Sequence, residues 1–181
     1  MRKVLYIMGQ LNDEDADWFA RAGRRRKVPA GEVLIRQGHA IDSMYILLDG
    51  AMAVSLSGIG DVAKLSSGEM IGEMSFIDSR PPSASVRAET DCFVLDLPRD
   101  AIMDKLEDDV GFSARFYRAI ATFLSDRLRG TVQRLGYHDD KGLDEDTEME
   151  GELDMNILDN IHIAGARFDR MLKKLMGGAA D

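Results

Sequence analysis

A single cysteine, Cys92, excludes an internal disulfide and fits a reducing compartment, so we expect a cytoplasmic protein. Basic residues are scarce: 23 Lys and Arg stand against 32 Asp and Glu, a net charge of −9. General nucleic-acid binding rests on neutralising phosphates and is disfavoured by that balance, although a local basic face stays open. No run reaches the roughly 20 apolar residues of a membrane span. The start, Met1 to Met8, has a charged head like that of a signal peptide. Its apolar run stops at Gly9-Gln10 and meets Asp13-Glu14-Asp15, too short for the hydrophobic region such peptides need. The three histidines, His39, His138 and His162, are scattered without metal-ligand spacing, so no metal site is expected. Gly58-Ile59-Gly60 lacks the third glycine and following helix of a dinucleotide fingerprint, and no Gly-Lys-Ser/Thr loop occurs. No nucleophile stands with an identifiable base. The expectation is a chain with no catalytic residue and no cofactor.

What remains is 181 residues, 45% hydrophobic and 30% charged, enough for one domain plus extra helices. Leu11 to Ala22 reads as a short helix, capped by Asn12 or Asp13, with Trp18 and Phe19 on its apolar face. A strand-rich block follows. Arg24-Arg25-Arg26-Lys27 enters a strand and reads as a solvated sheet edge. Glycines close a short apolar run at Gly31 and Gly38; Met44 to Leu48 is apolar until Asp49-Gly50 turns the chain. Met52, Val54 and Leu56 alternate with smaller residues, Ser57 to Asp61 turns again, and Val86 to Leu97 carries the last strands. Short strands punctuated by glycine predict an antiparallel β-roll or jelly roll, within an α+β fold with flanking helices.

Helices take over at Arg99, with a short one over Asp100 to Leu106 and a long one over Phe112 to Leu135. The apolar face of the long helix is wide enough to meet both the sheet and a second copy, and a homodimer through Phe112–Leu135 is expected. Residues 139–154 hold nine carboxylates and one lysine, a composition that cannot bury itself. Beyond them Ile157, Ile161, Ala164, Phe168, Met171 and Leu175 form a heptad seam. So short a helix must dock, and docking on its own domain or on a protein partner is equally compatible with the pattern. The expected division is a domain over 1–136 (roll about 24–98, helices 99–136), an acidic linker over 137–154 and an interaction helix over 155–177.

The segment Gly72-Glu-Met-Ser-Phe-Ile-Asp-Ser-Arg-Pro-Pro-Ser-Ala-Ser-Val86 carries the functional signal. A turn has no need of a carboxylate after its glycine, so Gly72-Glu73 asks for another reason. Together with Gly31-x-Val-Leu-Ile-x-Gln-Gly38, Met44 to Leu47, Asp49-Gly50 and Gly68, it falls in the order and spacing of a known family. Residues 31–98 resemble the cyclic nucleotide-binding domain, and Gly72 to Val86 resembles its phosphate-binding cassette. The resemblance implies that Glu73 accepts a hydrogen bond from a ribose 2′-hydroxyl. It also implies that backbone N–H groups near Met74–Ser75 and Ser83–Ala84 hold the cyclic phosphate as an anion nest. The ligand would be cAMP or cGMP.

One position departs from the pattern. Ten residues after the glycine the family places an arginine on the phosphate; here that position is Pro82, with neither charge nor N–H. A charge-assisted hydrogen bond contributes about 1.5–3 kcal/mol, so its loss weakens binding roughly 10- to 150-fold. Arg80, two residues earlier on an extended Pro81-Pro82 segment, offers a substitute about 6.5–7 Å away on the same face. Ser83 offers a hydroxyl, and in the family a hydroxyl there is associated with guanine. Two functions stay open: a non-catalytic regulatory sensor of a cyclic mononucleotide, signalling through its C-terminal helices, or a ligand-independent interaction module. A catabolite-activator type of DNA binding is not expected, because the residues after Leu135 open with acids and offer no basic recognition helix.

Overall fold

The computed structural model describes residues 7–136 and 155–177. Among them, eight antiparallel strands form two four-stranded sheets. The first sheet runs β1 (Arg24–Val28), β8 (Cys92–Pro98), β3 (Ser43–Asp49), β6 (Met70–Ile71). The second runs β2 (Val33–Ile35), β7 (Ser85–Ala88), β4 (Ala51–Leu56), β5 (Gly60–Ser66). Helices α1 (Asp13–Ala22), α2 (Glu73–Asp78), α3 (Arg99–Asp108), α4 (Val110–Gly136) and α5 (Met155–Gly177) complete the described residues. This is the α+β jelly roll with flanking helices that the glycine-punctuated strands predict.

Two cores share the first sheet. Tyr45 and Leu47 of β3 and Val94 of β8 pack with Met52, Leu65 and Val86 of the second sheet. Met44, Ile46 and Leu48, with Leu95 and Leu97, face the helices instead. A strand buried on both faces has no solvent side, which is why Met44 to Leu48 reads as an unbroken apolar run. At its end Gly50 has φ +97°, and a Cβ there would lie 2.6 Å from Cys92 Sγ and 2.8 Å from the Asp91 carbonyl. Only glycine fits that turn.

The basic run forms β1, an edge strand whose first four side chains are exposed. Arg26 pairs with Glu32 at 2.7 Å, Lys27 with Asp91 at 2.8 Å, and the Arg25 guanidinium lies 3.9 Å over the Phe93 ring. Charges so placed discourage edge-to-edge pairing.

On the helical side, Asn12 caps α1 in a reciprocal capping box with Asp15. Phe112, Phe116, Ala119, Ile120 and Phe123 of α4 are buried with Phe19 of α1. Helix α5 lies on the same core through Ala164, Phe168 and Met171. Arg167 reaches Asp13 at 2.7 Å, Arg170 reaches Asp17 at 2.8 Å, and Lys174 reaches Asp17 at 2.7 Å. Of the two dockings open to the terminal seam, the structure contains the one onto its own domain. The side chains of Ile157 and Ile161, the start of the chain before Ile7 and the acidic run lie outside the described residues.

Candidate functional site

Gly72 begins the site with φ +88° at the N-cap of α2, without a side chain to cap the helix. A Cβ there would sit 2.8 Å from Ile41 Cδ1, the movable tip of a side chain, so it is the left-handed turn that calls for glycine. The chain therefore enters α2 at Glu73, whose side chain turns inward and is only 2% exposed. Arg127 of α4 donates from Nη1 to Glu73 Oε1 at 2.6 Å, and its Nη2 lies 3.8 Å from Glu69 Oε2. Glu69, equally buried, also accepts from the Ser66 backbone N–H at 3.0 Å. The Arg127 guanidinium rests 4.7 Å from the centre of the Phe123 ring. Burial pushes the Glu73 carboxyl above the ordinary glutamate range, opposed by the charge of Arg127 and reinforced by that of Glu69.

The far end of the segment lies against β2 and the turn after it. Pro82 presents its carbonyl to the Gly38 N–H at 2.9 Å, and Ser85 Oγ accepts from the Gln37 N–H at 3.0 Å. Ile35 joins the two ends: it pairs in register with Val86, and its Cδ1 lies 3.6 Å from the Cβ position of Gly72. Strand β7 starts at Ser85, leaving Ser83 and Ala84 in the preceding loop. Helix α2 is clasped from α3: Arg99 donates to the Ser75 carbonyl at 3.1 Å and to Ser79 Oγ at 3.0 Å.

Of the residues singled out from sequence, Glu73 and Ser75 are buried, and Gly72 and Ala84 are half-buried. Met74 and Ser83 are exposed. The Arg80 side chain is 84% exposed, and its Nε lies 3.9 Å from Asp78 Oδ2. It does not swing back along the Pro-Pro segment toward the cassette. Sequence reading missed Glu69, Arg99 and Arg127. Arg127 was visible as one of five arginines on the long helix, but nothing local names a partner 54 residues away. Among the described residues, no group of His, Cys, Asp or Glu is placed to hold a metal ion, and no helix is long and apolar enough to cross a membrane.

A model of the family described as cyclic nucleotide-binding domain matches residues 25–109, from β1 through the cassette to the end of α3. Residues 25–109 belong to this family. An NTE family protein of Mycobacterium tuberculosis is 33% identical over 119 residues, covering 65% of this chain and 20% of that protein. A cAMP-dependent protein kinase regulatory subunit of Emericella nidulans is 37% identical over 75 residues, 41% of this chain and 18% of the subunit. The chain thus spans about a fifth of the length of these relatives. In fold, a cyclic nucleotide-binding domain from Methylobacillus flagellatus superposes with a TM-score of 0.67 at 24% identity, covering 78% of this chain and 85% of that one.

Proposed function

We propose that this cyclic nucleotide-binding domain is a non-catalytic, cytoplasmic regulatory sensor of a cyclic mononucleotide, cAMP or cGMP. The observation that carries the reading is the buried carboxylate of Glu73, at the head of the cassette and tied directly to the long helix by Arg127. In this reading Glu73 accepts from the ribose 2′-hydroxyl. The first turn of α2 directs the Met74 and Ser75 N–H groups, which have no intrahelical acceptors, toward the phosphate, with Ser83 and Ala84 closing the other side. The kinase regulatory subunit among the relatives supports the same ligand class. Occupancy shifts α4 only by the difference in ligand affinity between its two arrangements. Among the described side chains, Val110, Tyr117, Leu128 and Val132 are exposed apolar residues of α4; the last three would form the homodimer contact, while Phe112, Phe116 and Phe123 serve the internal core.

Calorimetric titration of the full chain with cAMP and with cGMP tests this. Saturable heat that disappears in Glu73→Ala is the expected outcome; no heat at millimolar nucleotide rejects it. One observation favours a second reading, a ligand-independent interaction module. Pro82 removes the phosphate cation, and Arg80 stands in solvent rather than replacing it. A partner of such a module would have to displace α5 to use its seam, since Ala164, Phe168 and Met171 are already buried.

A further inference from the structure

We propose that Arg127 is a positioning and specificity-determining residue: its guanidinium holds Glu73 as the acceptor that separates ribose from deoxyribose ligands. This rests on the nucleotide reading above and names what governs its sugar contact. Glu73 and Glu69 are both almost fully buried, and both lie within 4 Å of the same guanidinium. The charged groups facing the carboxylate from the surrounding elements, among the described residues, are Glu69 from the turn before β6 and Arg127 from α4. Two acids side by side out of water do not both ionise without a counter-charge; one takes a proton. A protonated Glu73 is a weaker acceptor for a sugar hydroxyl, because the hydrogen bond is no longer charge-assisted. The loss bears on the 2′-position and leaves contacts to base and phosphate untouched. Removing Arg127 should therefore erase selectivity for ribose before it erases binding.

Two measurements on the full chain decide the matter. In the ligand-free protein, carbon-13 carboxyl resonances are followed through a pH titration, with the Glu73 signal assigned by its disappearance in Glu73→Gln. The midpoint for Glu73 is expected to rise by one pH unit or more in Arg127→Gln, and to return most of the way in Arg127→Lys. Equal midpoints in wild type and Arg127→Gln overturn the proposal. Calorimetry then gives the ratio of Kd for 2′-deoxy-cAMP to Kd for cAMP. That ratio is expected to fall about tenfold in Arg127→Gln, to recover partly in Arg127→Lys, and to become pH-dependent only in the glutamine variant. An unchanged ratio overturns it as well. If the wild-type chain binds neither cAMP nor cGMP, the nucleotide reading and the selectivity role fall together. The carboxyl titration separately shows whether Arg127 still governs the charge of Glu73.

Discussion

Gly72 disfavours a side chain because its backbone is left-handed; a methyl group there would also push on the Ile41 Cδ1 tip at 2.8 Å. Gly72→Ala is expected to destabilise the fold by about 1–3 kcal/mol, read by urea denaturation. The second costly residue lies elsewhere. Asp15 is buried, closes the capping box of α1, and accepts from Arg115 Nε at 2.6 Å and Nη2 at 2.9 Å. Arg115→Ala leaves that carboxylate with only its cap and should cost about 1–3 kcal/mol, again by denaturation, whereas Arg80→Ala should change stability by less than about 0.5 kcal/mol. Legibility at this scale follows locality. Gly72-Glu73 announced itself because a carboxylate beside a turn glycine needs a reason, and Asn12 because caps have a short-range signature. The Glu73–Arg127 and Asp15–Arg115 pairs join residues 54 and 100 positions apart, and only the folded chain matches them.

Among the elements, the docking of α5 on α1 is the one most exposed to solution conditions. Hydrogen bonds from Lys174 chiefly, and from Arg170, hold the Asp17 carboxyl below its ordinary value of 3.8. A depressed carboxyl contributes stability above its unfolded value and loses it as pH falls through the folded one. Docking should therefore be intact near neutrality and loosen below pH 3.8. Hydrogen exchange across α5 is expected to show protection falling in that range, with the response reduced in Asp17→Asn. Phe168→Ala tests the apolar half of the contact and should cost about 3–5 kcal/mol. Elements with a buried face were readable: β3 from its two-sided burial, α4 from its apolar stripe. Strand β5 was not, because it is an edge strand whose only buried residue is Leu65. Strand β6 and helix α2 were missed because two and six residues carry too little periodicity to register.

At the scale of the whole molecule, the proposed association would use the part of α4 that its own core leaves uncovered. Leu128 is 64% exposed and Val132 58%. The double substitution Leu128→Glu with Val132→Glu is expected to yield a monomer by light scattering while thermal stability stays within a few degrees. If the wild-type chain is already monomeric, the dimer is wrong. The antiparallel roll and the long helix were foreseen from the sequence pattern, and the cassette from its resemblance to a known family. The docking of α5 was not, since a heptad seam specifies that a helix needs a partner without saying which.

The contact between α1 and α5 also sets a timetable for synthesis. Arg167 meets Asp13 across 154 positions, and at 5–20 residues per second the ribosome needs roughly 8–30 s to deliver that span. Once α4 has been made, the surface that receives Phe168 and Met171 stays uncovered until α5 follows. Until translation brings the matching helix, the newborn protein leaves that apolar surface in water beside the acids Asp13 and Asp17.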